Sequence, residues 1–166
     1  MDDEHFMKKA LEQARMALAA GEFPVGCVMV LGKDIIATGI REGTGGSGLN
    51  EVDHAEIMAL RNLSRLDHKV NMQEVTVFST LEPCLMCFGA LLISGIGRIV
   101  FAYEDAMGGG TRCDCANLPP LYRQSHIEIK SGVLRKDSLV LLKSYFSQKQ
   151  HTYLMDSFLA AYTLDQ

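Results

Sequence analysis

The amino-acid sequence predicts an α/β protein in which a mixed β-sheet lies between two layers of helices. Residues 3–20 place their apolar side chains at helical spacing, and residues 25–31 are nearly all apolar, as a strand buried on both faces would be. After them, predicted helices alternate with predicted strands, an order that puts helices on both faces of a sheet. A chain of 166 residues suits one full hydrophobic core, so we expect a single domain over 1–166.

Most predicted elements have a start or stop signal in the sequence. The first helix ends at Gly21, and a hairpin of strands 25–31 and 35–40 turns at 32–34. Strands 75–80 and 98–103 are joined through a helix, so they should run parallel with a right-handed crossover. The other predicted elements are a mobile glycine-rich loop over 41–53, helices over 54–64 and 84–94, a second glycine-rich loop over 105–120, a strand over 127–129, and helices over 135–149 and 151–163.

Composition and charge narrow the class of protein. The net charge of −4 and pI near 5.7 argue against broad, non-specific nucleic-acid binding, which depends on clustered Lys and Arg. Residues 1–4 are acidic where a signal peptide would be basic, and no apolar run approaches the roughly 18 residues of a membrane span. The five cysteines are an odd number and favour a reducing compartment. We therefore expect a soluble, cytoplasmic protein with no membrane segment.

Two short motifs carry the chemistry. His54 and Glu56 are separated by one residue, and the later run PCLMC at 83–87 supplies Cys84 and Cys87. One histidine and two cysteines are three zinc ligands, which leave the fourth tetrahedral position to water. A glutamate that does not bind the metal can transfer the protons of a hydrolysis. The combined pattern is the known signature of zinc deaminases that act on nucleobases.

The motifs also have structural interpretations. Asp53 is expected to cap a helix that starts at His54, and Pro83 suits the first turn of the next helix. In that reading Asp53 and Glu56 form a capping box, and Glu56 only satisfies backbone groups. The Cys-x-x-Cys pair alone would fit a redox pair, or a closed structural zinc site that Cys113 or Cys115 completes.

Three runs of residues resemble the cytidine deaminase-like superfamily and, within it, bacterial tRNA-specific adenosine deaminases. They are FPVGCV at 23–28, DHAEIMAL at 53–60 and TLEPCLMC at 80–87. The similarity covers roughly 5–148, which we take as the catalytic core, and fades over a predicted helical extension at 149–166. The resemblance implies a three-layer α/β/α sandwich with a five-stranded mixed sheet whose last two strands are parallel. It also implies a homodimer with active sites close to the subunit interface.

The resemblance further assigns roles to residues. His54, Cys84 and Cys87 would hold one zinc ion per chain, and Glu56 would shuttle protons. Backbone groups near Pro83 and Cys84 would stabilise the tetrahedral centre. Phe23 is expected near the pocket, where it either stacks on a base or packs at the mouth of the strand.

The sequence departs from its relatives in the loops and the tail. The substrate-binding asparagine that usually follows the second strand is replaced by Arg41, and Asn50 takes its place only if the loop folds back. Cys113 and Cys115 lie in an unusual second loop, either as free thiols or in a further metal or redox role. The tail beyond 144 has no basic helix and carries an apolar stripe, expected to pack in the core or a dimer contact: Tyr153, Leu154, Met155, Phe158, Leu159 and Tyr162.

Three functions follow from these observations. The first is deamination of adenosine to inosine in a tRNA anticodon loop, where the base is splayed out and read in a pocket. The second is the same chemistry on a free nucleobase, nucleoside or related small heterocycle, which the acidic pI, the non-basic tail and the missing asparagine favour. The third is an inactive zinc-binding partner subunit, against which the presence of Glu56 argues.

Overall fold

The computed structural model describes residues 2–46 and 50–166. The helices are α1 (Asp3–Ala19), α2 (Ala55–Leu63), α3 (Leu85–Ile93), α4 (Pro120–Arg123), α5 (Arg135–Phe146) and α6 (Phe158–Asp165), with short 3-10 turns at Met72–Glu74 and Cys115–Asn117. The strands are β1 (Gly26–Leu31), β2 (Asp34–Ile40), β3 (Val75–Leu81), β4 (Arg98–Tyr103) and β5 (Glu128–Lys130). No helix in the described part of the chain is both long and apolar enough to cross a membrane.

The five strands form one mixed sheet in the order β2-β1-β3-β4-β5. β1 is antiparallel to both β2 and β3, whereas β3, β4 and β5 run parallel to one another. The predicted fold class is therefore confirmed: an α/β fold with a five-stranded mixed sheet whose last two strands are parallel. The predicted hairpin and the parallel pair joined through a helix are confirmed as well.

Apolar side chains on both faces of the sheet hold the helices against it. Val28 and Phe78 pack with Phe6 and Leu11 of α1, while Met29 belongs to the larger cluster that includes residues of α2 and α3. Side chains alternate between the two faces of a strand, so a run that is apolar at every position serves both clusters. Each fully buried side chain of this size contributes about 1.5–3 kcal/mol of transfer free energy.

Two glycines allow the helices to approach the sheet closely. A Cβ atom at Gly26 would lie 2.3 Å from the carbonyl oxygen of Ala10 in α1, and one at Gly39 would lie 2.1 Å from that of Ala55 in α2. Any side chain at these positions would push a helix away. Gly39 thereby sets the height of the first turn of α2 over the sheet, and this turn carries Glu56.

The predicted glycine-rich loop over 41–53 is held in place wherever it is described. The Glu22 carboxylate accepts hydrogen bonds from the backbone N–H groups of Thr44 (2.6 Å) and Gly45 (3.0 Å), and the Thr44 hydroxyl accepts one from the backbone of Phe23 at 2.8 Å. The backbone of Asn50 donates to Gly43 at 3.0 Å, so the loop folds back on itself. The described part of the loop is therefore hydrogen-bonded to the rest of the chain, and its mobility stays a prediction. Residues 47–49 of that prediction lie outside the described residues.

The C-terminal region differs most from prediction. The helix predicted over 135–149 ends at Phe146, and that predicted over 151–163 begins only at Phe158, where the Ser157 hydroxyl accepts a hydrogen bond from Ala160 N–H at 3.1 Å. Residues 151–157 form an irregular connection in which Leu154 has φ 59°, a left-handed conformation that costs a non-glycine residue about 1–2 kcal/mol. Tertiary contacts of this connection, described below, outweigh its helical pattern.

A carboxylate at the end of β4 joins the sheet to both C-terminal helices. Glu104 accepts hydrogen bonds from the Arg135 guanidinium, with Nε at 2.8 Å, and from the Tyr162 hydroxyl at 2.7 Å. The hydrogen bond from Arg135 is the main cause that lowers the pKa of Glu104 to about 2. The ionised carboxylate is therefore the form that the fold stabilises.

We expect Glu104→Gln to destabilise the protein by about 1–3 kcal/mol near pH 7, the usual loss for a hydrogen bond to a charged group. The folded pKa lies below the ordinary value of 4.5, so the contribution of the carboxylate is complete above about pH 4.5 and is lost as the pH falls towards 2. Urea unfolding of the wild type and of Glu104→Gln between pH 7 and pH 3 measures the difference in their free energies of unfolding. We expect this difference to become smaller as the pH falls. A difference that stays constant with pH would contradict the assignment.

Candidate active site

Two helix N-termini bring the predicted metal ligands together. His54 is the N-cap residue of α2, Cys84 is the N-cap residue of α3, and Cys87 lies in the first turn of α3. The Cys84 sulfur lies 3.5 Å from Nδ1 of His54, and the ligand atoms of all three residues lie within 4.8 Å of one another. The positive end of a helix dipole favours the anionic form of a nearby thiol.

The three side chains fit a zinc ion. The pKa of Cys84 is lowered to about 4, first by a hydrogen bond from the Cys87 thiol and then by His54, whereas the pKa of Cys87 is raised by the same hydrogen bond. These opposite shifts favour the thiolate of Cys84 and the thiol of Cys87, and binding of a metal by both sulfurs would release the remaining proton. Two sulfurs and one imidazole are the donor set of a zinc site with an open position.

Neither Cys113 nor Cys115 joins this cluster. Among the residues that the structure describes, His54, Cys84 and Cys87 are the one group of three such side chains close enough to share an ion. Cys113 and Cys115 are free, partly buried thiols that pack against the core. The alternative of a closed structural zinc site completed by either residue finds no support in this geometry.

Glu56 is a buried carboxylate beside the ligands. It is 2% exposed and accepts a hydrogen bond from the Ser79 hydroxyl of β3 at 2.8 Å. Burial raises its pKa because the charged form loses its hydration. The capping-box interpretation is wrong: the Asp53 carboxylate binds Asn50 and Arg61 instead, and α2 has no side-chain cap. The predicted N-cap role of Asp53 fails for the same reason, and His54 occupies that position.

A cavity of about 230 Å³ opens next to these residues. His54, Glu56 and Cys84 line one part of it, and Phe23 lines another. The Phe23 ring also meets Tyr145 and Tyr153 edge-on, with ring centroids 5.2 and 5.6 Å away. Phe23 therefore lies both at the cavity and in the packing around it.

The remaining predicted substrate residues occupy different places. Arg41 lines the cavity and is 2% exposed. Asn50 is not among the lining residues, because its side chain bonds within its own loop, accepting from Val52 N–H at 2.9 Å and donating to Asp53 at 2.6 Å.

Pro83 precedes the N-cap of α3, so the predicted first-turn position is wrong. Its carbonyl accepts a hydrogen bond from Gly110 N–H at 2.8 Å, which fastens the second glycine-rich loop to the metal helix.

Glu51, Glu82 and Asp105 are acidic residues of the cavity that had no role in the sequence prediction, and the last two lie beside the metal helix. Glu82 is 5% exposed and accepts hydrogen bonds from Asp105 N–H at 3.2 Å and from the Thr111 hydroxyl. Asp105 accepts from Gly108 N–H at 2.8 Å, and burial raises its pKa. A Cβ atom at Gly109 would lie 2.5 Å from a Glu82 oxygen, so the glycines let the loop close over this carboxylate. Two features of the sequence could have identified these residues: Glu82 directly precedes the PCLMC run, and Asp105 comes just after a strand.

The C-terminal connection also reaches the cavity. Tyr153, Leu154 and Leu159 line it together with the residues of the metal site. The predicted apolar stripe is therefore only partly core: Tyr153 and Leu159 are buried, whereas Phe158 is 61% exposed. The sequence pattern did not indicate that this stripe would border the pocket.

Comparison with known proteins agrees with this geometry. The family model of the cytidine and deoxycytidylate deaminase zinc-binding region matches residues 1–103. The chain belongs to this family of zinc deaminases. The chain is therefore a hydrolytic nucleobase or nucleoside deaminase, and its cofactor is zinc.

The similar proteins include both kinds of deaminase that the sequence suggested. The tRNA-specific adenosine deaminase of Haemophilus influenzae is 38% identical, over 89% of this chain and 85% of its own length. That of Buchnera aphidicola is 36% identical, over 89% of this chain and 90% of its own length. A solved tRNA:A34 deaminase has a TM-score of 0.66 at 28% identity, covering 77% of this chain and 97% of that one. The structure of a guanine deaminase from Nitrosomonas europaea has a TM-score of 0.68 at 27% sequence identity, and the match covers 86% of this chain and 83% of that one.

We expect the purified deaminase to contain one zinc ion per chain, measured by plasma mass spectrometry. Cys84→Ser and Cys87→Ser should each lose most of this metal, because either change removes one of three protein ligands. Cys113→Ser combined with Cys115→Ser is the matched control and should keep it. Loss of zinc from the control variant would show that the second loop supplies a ligand.

Proposed function

We propose that this deaminase converts adenosine to inosine in a tRNA anticodon loop, with release of ammonia. The relatives carry the proposal, since tRNA-specific adenosine deaminases match over most of both chains, and the family model spans the range that holds His54, Cys84 and Cys87. A splayed-out base in a single-stranded loop is the form of RNA that a pocket of this kind reads. The chemistry below applies equally to any base with an exocyclic amine.

His54, Cys84 and Cys87 would hold the zinc ion. When bound, zinc supplies a Lewis acid that makes a water molecule acidic near neutral pH. His54 and Cys84 line the cavity together with Glu56, so the metal would lie next to the carboxylate.

Glu56 would carry the protons of the reaction. Its carboxylate takes the proton of the attacking water and delivers it to the ring nitrogen next to the amine-bearing carbon. It then takes the remaining proton of the added oxygen and passes it to the amine, so that the C–N bond breaks, ammonia leaves and a C=O group remains. Burial and the single hydrogen bond from Ser79 suit this exchange, because a raised pKa brings the carboxyl closer to the operating pH. The backbone at Pro83 and Cys84, where α3 begins, is proposed to stabilise the tetrahedral centre.

A free nucleobase or related small heterocycle is the second candidate substrate. Tyr153 and Leu154 take part in the cavity lining, and a volume of about 230 Å³ lies below the roughly 300–1,000 Å³ typical of sites for drug-sized ligands. From residue 144 onward the chain has one lysine, Lys149, against Asp156 and Asp165, so the tail offers little to the phosphates that anchor an RNA stem.

A homodimer is the proposed assembly. The outer side of α3 exposes Leu85 (62%) and Ile93 (59%), and Met107 of the second loop is also exposed at 47%. Large apolar side chains grouped in this way are typical of protein interfaces. Leu85 follows Cys84 directly, so a second copy bound there would lie close to the active site. A cytoplasmic location stays a prediction, and all five cysteines are free, as a reducing compartment requires.

We expect Glu56→Gln to lower turnover by about 10²–10⁴-fold while zinc stays bound, because the variant loses the group that moves protons. Glu12→Gln, an equally small change on the exposed side of α1, is the control and should keep full turnover. Ammonia release and metal content are measured on the same samples. Wild-type turnover by zinc-loaded Glu56→Gln would contradict the role.

The substrate is tested with the zinc-loaded protein. One arm uses an anticodon stem-loop RNA with adenosine at the wobble position, and the other uses a panel of free amino-bearing bases and nucleosides. Inosine formed only in the RNA supports the first candidate, and rapid turnover of one free base supports the second. Binding to the RNA should also weaken with added salt, since phosphate contacts release counterions.

A further inference from the structure

A three-residue contact joins the first glycine-rich loop to the C-terminal connection at the cavity. The Tyr153 hydroxyl donates a hydrogen bond to the Glu51 carboxylate at 2.8 Å and lies 3.5 Å from Nη2 of Arg41. The Arg41 guanidinium carbon also lies 5.3 Å from the centroid of the Tyr153 ring, a cation–π contact. We call Arg41, Glu51 and Tyr153 the latch, and all three line the cavity.

Arg41 is the fixed part of the latch. Its Nη1 donates to the backbone carbonyls of Glu42 and of Asp53, the latter at 3.1 Å, and Nη2 donates to that of Asn50 at 2.6 Å. A planar guanidinium reaches three carbonyls and a tyrosine at once, which the single ammonium of a lysine cannot do. The described part of the loop therefore folds around Arg41, and Tyr153 contacts a side chain that is already bound to three backbone carbonyls.

The chain around Tyr153 is fixed from its other side by aromatic packing. The His151 ring stacks on Tyr145 with centroids 4.0 Å apart, and the Tyr153 ring meets Phe23 at 5.6 Å. Leu154, the next residue, has the left-handed φ of 59° and lines the cavity as well. A non-glycine residue keeps such a conformation only where its surroundings impose it. The connection is therefore held as a wall of the cavity.

The latch borders the same cavity as the metal residues His54 and Cys84. Its Glu51 side chain is 60% exposed to solvent, whereas Tyr153 is 9% exposed and Arg41 2%. Tyr153 and Leu154 therefore form the wall of the cavity next to the exposed Glu51. A base that carries a larger group, such as a ribose and its phosphates, would compete with Tyr153 and Leu154 for space in this cavity.

We propose that Tyr153, positioned by Arg41, is a specificity-determining residue that favours a free base over a base carried on a polynucleotide. With the latch closed the cavity encloses the base alone, and an adenosine in RNA is admitted only when Tyr153 moves aside. The proposal rests on the proposed deaminase function of this cavity. Tyr153 thus acts against the RNA substrate of the proposed function: it lowers kcat/KM for the RNA relative to a free base without excluding the RNA.

The test compares two substrates in matched variants. Tyr153→Ala should raise the ratio of kcat/KM for the anticodon stem-loop RNA to kcat/KM for free adenine by at least about tenfold, because the outer wall is removed. Tyr153→Phe and Arg41→Lys should shift the ratio in the same direction by less. Tyr162→Phe is the matched control: its hydroxyl also donates to a glutamate, Glu104, but it does not line this cavity. An unchanged ratio in Tyr153→Ala would overturn the proposal. A loss of fold would not raise the ratio, because it would lower kcat/KM for the RNA and for adenine together.

Two further measurements separate the latch from the catalytic assignment. Equilibrium binding of the same RNA and of adenine is measured in zinc-loaded Glu56→Gln protein with and without Tyr153→Ala, so the ratio of Kd values is obtained without turnover. Hydrogen–deuterium exchange at 151–157 should become faster in Arg41→Lys and stay unchanged in Tyr162→Phe. If Tyr153→Ala leaves the ratio of the two Kd values unchanged and Arg41→Lys leaves the exchange rate at 151–157 unchanged, the proposal about the latch is wrong even if the enzyme is active. Absence of ammonia release from every substrate by the wild type would instead overturn the proposed function.

Discussion

The contact between His54 and Cys84, with Nδ1 and Sγ 3.5 Å apart, is where the N-terminus of α2 meets the N-terminus of α3. Every other part of the site depends on this meeting. It requires β2 and β3 to lie on either side of β1 in one sheet, and it requires α2 to approach the sheet as closely as Gly39 allows. Two helix dipoles then point their positive ends at the same point, which favours the thiolate of Cys84 and the anionic centre of a hydrolysis.

Around that contact the protein buries several charged groups, and each has a partner that compensates for the lost hydration. Ser79 bonds Glu56, Asp105 N–H and Thr111 bond Glu82, and three carbonyls surround Arg41. Buried polar groups of this kind do little for net stability, because desolvation offsets most of the attraction. Their concentration around one cavity is a feature of a functional site. They also connect the described parts of the two glycine-rich loops to the cavity.

The fold was largely predictable because its elements follow from local patterns. The apolar run of β1, the turn at 32–34 and the helix between β3 and β4 each have a local cause. The errors are equally local in origin. Asp53 has the side chain of an N-cap, but Arg61 and Asn50 compete for its carboxylate, and the cap position passes to His54. The segment over 151–157 has a helical pattern, yet contacts with Arg41 and Tyr145 hold it in an irregular path.

The sequence by itself determined the fold class and the three residues that the structure brings together as a possible zinc site. It also singled out Glu56, whose role in proton transfer is a proposal. These residues could be found because they depend on residue types at short spacings at two helix starts. Only the tertiary structure decided how the cavity is closed. Arg41 and Tyr153 are separated by 112 positions, and no local pattern couples them. Glu82 and Asp105 enter the cavity for a similar reason, since the glycines at 108–110 let a distant loop fold over the metal helix. Local motifs thus predict the chemistry of the reaction, whereas the shape of the cavity depends on contacts between segments far apart in the chain.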